Sequence, residues 1–144
     1  SGLFTYDLSQ PAAPRLAGFV ATPGTGLLVT GGTAWVAVGD AADGAPGMAR
    51  ALHAVDVSEP RTPHLLASLD LAVERLAAAP GTAEIWAAGR ELSRWDVSAP
   101  ARPRLLGRWP LPQGAVGLAA ERDRVWVGAG TAGLLTLETG PSGP

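Results

Sequence analysis

Two histidines, His53 and His64, and an acid that recurs at nearly even intervals, Asp7, Asp56, Asp96 and then Glu138, are the residues whose chemistry stands out in this chain. The acids are 49, 40 and 42 residues apart. Acid–base or metal chemistry needs such groups beside partners at set spacings, and neither histidine has a serine–aspartate pair or a second histidine placed to complete a triad or a metal pair. No catalytic residue, metal ligand or cofactor is therefore expected. His53 reads as a packed residue with a hydrogen-bond partner, and His64 as an exposed one in a column shared with Arg15 and Arg104. Asp40-Ala41-Ala42-Asp43-Gly44 lacks the alternating ligands and closing glutamate of a calcium loop, so it reads as solvated. Gly24-Thr25-Gly26 and Gly128-Ala129-Gly130 look like phosphate cradles, but a cradle must open a helix and none is expected; they read as hairpin turns. Arg102, Arg104, Arg108, Arg122 and Arg124 lie near Trp109 and Trp126, a mixture that suits single-stranded nucleic acid. Alternating arginines also suit the edge of a sheet, and the tryptophans fall at repeated core positions.

The recurring acids belong to a longer phrase. Asp7-Leu8-Ser9-Gln10-Pro11 with Pro14 is matched by Asp56-Val57-Ser58-Glu59-Pro60 with Pro63, and by Asp96-Val97-Ser98-Ala99-Pro100 with Pro103. Repeats of this period signal a propeller, solenoid or array. Asp7, Ser9, Asp56, Ser58, Asp96 and Ser98 are expected to accept backbone N–H groups two residues on, and the prolines to stiffen the connection that follows. A device copied into every repeat is structural, whereas a functional site is rarely copied so.

The elements around the phrase are short. A Trp segment recurs at Thr33-Ala34-Trp35, Glu84-Ile85-Trp86 and Arg124-Val125-Trp126, each after a turn and a small apolar run. Glycine and proline bracket every run, and no run carries a helical stripe. Four strands fit one repeat: a, the small apolar run; b, the Trp segment; c, ending in the acid; and d, after the second proline. Successive hairpins of this kind make the four-stranded antiparallel meander of a β-propeller blade. In strand c, Tyr6, Val55, Trp95 and Leu137 face one way and Leu3, Leu52, Leu92 and Leu134 the other, so both faces are apolar, as in a sheet covered on both sides.

Composition narrows the partners. The net charge is −2, with eleven arginines and no lysine, which invites neither nucleic acid nor an anionic membrane. There is no cysteine, so disulfides and thiolate metal sites are excluded. The uncharged stretch from Leu16 to Gly39 is long enough to span a bilayer, but Pro23, six glycines and four threonines break it into strands and turns. Ser1 opens almost directly onto a repeat strand, so neither membrane insertion nor a signal peptide is expected.

The motif Asp-Val-Ser-x-Pro-x-x-Pro-x-Leu-Leu-Gly, with its preceding apolar strand and following aromatic–valine segment, resembles the LVIVD-repeat family. That resemblance implies a β-propeller of bacterial or archaeal origin, with secreted, periplasmic or cell-surface placement. The worn copy at Glu138-Thr139-Gly140 and about eleven extra residues between Gly39 and Leu52 depart from the pattern. Trp95-Asp96 is similar to the end of a WD repeat, but no Gly-His element precedes it.

The whole chain, 1–144, reads as one propeller or part of one, with repeats near 1–21, 22–71, 72–111 and 112–144. Thirteen strands make about three blades, fewer than the four to eight of a closed ring, so another protein chain or further blades of a parent protein are expected to complete it. A recognition rim opposite the Asp phrases would carry Asp40, Asp43, Met48, Arg50, Glu74, Arg75, Arg90, Glu91 and Gln113. The expected function is a non-enzymatic scaffold binding a protein or a glycan. The alternative is part of a propeller enzyme with its catalytic residues in other blades, because strand a here offers mostly Gly, Ala, Leu and Val.

Overall fold

The computed structural model describes residues 2–22, 24–38, 49–112 and 114–139. Among them are thirteen strands: β1 (Leu3–Asp7), β2 (Arg15–Val20), β3 (Gly26–Thr30), β4 (Thr33–Val38), β5 (Ala49–Asp56), β6 (His64–Val73), β7 (Arg75–Ala79), β8 (Glu84–Ala88), β9 (Glu91–Asp96), β10 (Arg104–Pro110), β11 (Gly117–Ala120), β12 (Arg124–Gly128) and β13 (Leu134–Glu138). A 3-10 turn, Gly130–Ala132, precedes the last strand. The strands form four antiparallel sheets in chain order, β1-β2, β3-β4-β5-β6, β7-β8-β9-β10 and β11-β12-β13. The chain is all-β, with blade-like meanders that fit an incomplete propeller, as the repeated phrase implies. The uncharged stretch after Leu16 supplies β2, β3 and β4, and no helix among the described residues is long and apolar enough to cross a membrane.

The chain divides into two compact units, Ser1–Leu71 and Ala72–Pro144. In the first, the β3–β4 hairpin closes on Gly31 and Gly32, whose φ angles of 59° and 77° satisfy the two-residue turn that matches strand twist. Ala34, Val36 and Val55 pack with Leu3, Val20, Val38 and Val57, joining β1-β2 to β3-β6 through one face of each sheet. The Thr5 hydroxyl donates to the Pro60 carbonyl at 2.5 Å, and a Cβ on Gly18 would collide with that same oxygen. The phrase turn of one sheet is thus a seat for the sheet before it.

In the second unit Trp86, Ala88, Leu92 and Leu111 pack with Val125, Val127, Leu118, Ala120 and Leu137, joining β7-β10 to β11-β13. The Trp86 and Trp109 rings are 5.7 Å apart and tilted. Burying a side chain of this size stabilises by roughly 1.5–3 kcal/mol relative to exposure. One expectation is corrected here. Gly24-Thr25-Gly26 turns no hairpin, because β2 and β3 are unpaired; it links two sheets, and the Thr25 N–H donates to the Ala37 carbonyl at 2.8 Å.

Candidate functional site

Three of the four sheets have one strand end bearing the Asp phrase. There the Ser9, Ser58 and Ser98 N–H groups donate to Asp7, Asp56 and Asp96 Oδ1 at 2.8, 2.8 and 2.9 Å. The expected capping by serine hydroxyls is different in direction: Ser58 Oγ donates to Asp56 Oδ1 at 2.5 Å, so the hydroxyl serves the carboxylate and not the backbone. A proline turn follows in each copy, with Ala13 N–H donating to Gln10 O, Thr62 to Glu59 O and Arg102 to Ala99 O around Pro11, Pro60 and Pro100. Proline at the second position of a β-turn presets φ there.

These carboxylates are held in their charged form. The Ser98 N–H and hydroxyl, then Arg104, bring Asp96 down to about 2. The Ser9 N–H lowers Asp7, and the Ser58 hydroxyl and N–H lower Asp56. A group so poised is a poor proton donor or acceptor at neutral pH. Arg104 reaches Asp96 Oδ2 at 2.8 Å and His64 Nε2 lies 3.8 Å from Asp56 Oδ2, while Arg15 is the cross-strand partner of Asp7. Arg15, His64 and Arg104 each stand eight residues after a phrase aspartate, the exposed column that the sequence shows.

At this end of the second unit is a cleft of about 330 Å³ bounded by Gly81, Thr82, Glu84, Asp96, Ser98 and Arg122. Its acids are committed. Glu84 Oε2 accepts both Nε and a terminal nitrogen of Arg94 at 2.8 Å, and Asp96 is held as above. Arg122 is exposed and has no ion pair among the described residues.

Four residues of the expected rim stand at the opposite strand ends of the second unit. Glu74 and Arg75, at the β6–β7 link, are drawn onto the link before β11. Glu74 Oε2 accepts the Ala115 N–H at 2.9 Å, and Arg75 Nε donates to the Val116 carbonyl at 3.2 Å. Gly114 makes this approach feasible, with φ +69° and no Cβ to crowd the Glu74 carboxylate. Arg90 and Glu91 sit at the β8–β9 turn with exposed side chains, and Glu91 lies 3.9 Å from Arg108. The structure thus brings Glu74, Arg75, Arg90 and Glu91 to the same strand ends of the second unit. Arg50 lies in β5 of the first unit. Asp40, Asp43, Met48 and Gln113 lie outside the described residues. Backbone groups of 114–116 were missed because an N–H that anchors a side chain has no signature in residue type.

His53 Nδ1 is 2.8 Å from the Thr22 hydroxyl, which is itself buried, and His64 Nδ1 is 3.1 Å from the Thr62 carbonyl. No group of three or more His, Asp or Glu side chains placed to hold a metal occurs among the described residues. No protein-family model and no curated protein matches the chain.

Proposed function

We propose that this chain is a non-enzymatic propeller scaffold that recognises a protein or a glycan, as a portion of a larger extracytoplasmic protein of the LVIVD-repeat kind. One observation carries the reading: the phrase carboxylates Asp7, Asp56 and Asp96 are bound to the backbone of their own turns, while exposed charge that differs between repeats gathers at the other strand ends, in Arg90 and Glu91. Uniform devices build a scaffold, and unrepeated side chains on it give selectivity. Arg90 suits a carboxylate or sulfate and Glu91 a hydroxyl or ammonium group, chemistry common to protein surfaces and acidic glycans.

The reading is tested on a glycan array and by photo-cross-linking from position 90. Arg90→Ala with Glu91→Ala should lower binding at least tenfold, and replacing residues 40–49 by a short turn should abolish it while the β-sheet circular dichroism is kept. Full-strength binding by both variants would overturn the assignment.

A further inference from the structure

Among the described residues, two sheet faces that this repeat elsewhere buries are open. The leucine column of strand c reads 0% exposed at Leu52, 3% at Leu92 and 69% at Leu134. The column on the other face is 0% exposed at Val55 and 56% at Tyr6.

The chain displays how these faces are covered. Within Ala72–Pro144 the leucine face of β7-β10, with Leu92 and Trp86, packs on the opposite face of the next sheet, with Leu137, Val125 and Val127. Within Ser1–Leu71 the leucine face of β1-β2, with Leu3 and Val20, packs on the opposite face of β3-β6, with Val55, Ala34 and Val36. The rule is the same both times: a leucine face meets the other face of the sheet that follows. Among the described residues, two faces lack that partner. One is the leucine face of β11-β13, with Leu134 and Trp126. The other is the outward face of β1-β2, where Phe4, Tyr6, Leu16 and Phe19 are all exposed. Cross-strand pairs Phe4↔Phe19 and Tyr6↔Leu16 make those four contiguous, and the two phenyl rings are 4.8 Å apart. Soluble monomers rarely expose so large a contiguous apolar patch without a partner for it.

We propose that a second copy of this chain covers them, the Leu134–Trp126 face of one copy seating on the Phe4–Tyr6 face of the next. The contact continues an interface that the chain already makes twice, with the same residue columns on the same sides. It joins unlike faces, so it is heterologous and propagates head to tail into a closed ring or an open chain of copies. Like-with-like pairing of two leucine faces has no precedent in either unit. The inference is independent of recognition through Arg90 and Glu91, which belong to neither face.

Sedimentation velocity and light scattering test it on the full 144-residue chain, with Tyr6→Glu and Leu134→Glu. Both positions are exposed, and circular dichroism confirms the fold; should Tyr6→Glu fail to fold, Leu16→Glu probes the same face. The wild type should sediment as a multiple of the 14.6 kDa chain, and each variant alone as a single chain. A 1:1 mixture of the two variants should form a species of two chains that grows no further, because each copy retains one intact face. A monomeric wild type, variants that assemble as the wild type does, aggregate indifferent to either substitution, or folded variants that ignore one another when mixed would each overturn the proposal. Loss of assembly with unchanged ligand binding, or the reverse, separates this contact from the recognition site.

Discussion

Sheets β3-β6 and β7-β10 have the same four strands, but they surround their tryptophans differently. In β7-β10, Trp86 lies across from Arg94, whose guanidinium sits 5.6 Å over the indole and binds Glu84 twice. In β3-β6 the matching places are Thr33 and Ala54, and Trp35 lies across from the alanine. Trp35 is fully buried, and its indole N–H has no hydrogen-bond partner among the described residues. An unmet buried donor of that kind costs about 1–3 kcal/mol. The tryptophan is the constant of the repeat, and the polar pair beside it is an addition that one sheet has and the other omits.

The largest effect should follow from deleting the constant. Trp86→Ala and Trp35→Ala should each destabilise by about 3–5 kcal/mol, as for other large-to-small changes in a core, read from urea unfolding at fixed protein concentration. Trp86→Ala should cost more, since Arg94 also loses its aromatic platform. A Trp35→Ala protein within about 1 kcal/mol of wild type would break the equivalence of the two sheets, given the usual cost of such cavities.

Next comes the addition itself. Glu84→Ala strands the Arg94 guanidinium in a largely buried place, so a loss of about 3 kcal/mol is expected, at the lower end for a broken buried pair. Copying the other sheet, with Glu84→Thr and Arg94→Ala together, should cost less than half of that, because no unpaired charge remains. A double variant as unstable as the single one would show that β7-β10 depends on its ion pair.

The smallest effect separates the phrase turns. The folded-state pKa of Asp96, about 2, is below its ordinary 3.8, so its contribution is present above pH 3.8 and is lost as pH falls through 2. Asp56 is shifted in the same direction. Asp96→Asn should therefore lower stability at neutral pH and flatten its decline between pH 4 and 2. Asp56→Asn should do the same to a lesser degree, since His64 stands farther off than Arg104. Equal acid profiles for wild type and Asp96→Asn would remove the turn carboxylates from the account of acid stability.

The strands were legible because their markers are local: a phrase that ends strand c, a tryptophan in strand b, and glycine at the hairpins. Gly31-Gly32 was legible as a turn because a glycine pair between two apolar runs is the local mark of a two-residue hairpin. Gly24-Thr25-Gly26 was misread because glycine marks a change of direction without saying whether the flanking strands pair. The hold of Glu74 on Ala115 spans 41 residues and is made to an N–H, so no pairing of residue types foretold it. Glu84 and Arg94 meet only once β8 and β9 are in register, with Trp86 opposite Arg94. What the sequence left dark is what register and long-range backbone contacts decide.

The pairing of strands c and d has an irregularity with consequences beyond one sheet. In β1-β2 the partners step from Thr5↔Gly18 to Tyr6↔Leu16, and in β9-β10 from Trp95↔Leu105 to Arg94↔Gly107. Ala17 and Leu106 are passed over, each the tenth residue after its phrase aspartate. Such a bulge bends and twists the outer strand, and a bent strand is a poor template for another to zip onto. Repeating a unit of about forty residues that carries this bulge would then add a blade whose outer strand is already blunted against edge-to-edge pairing.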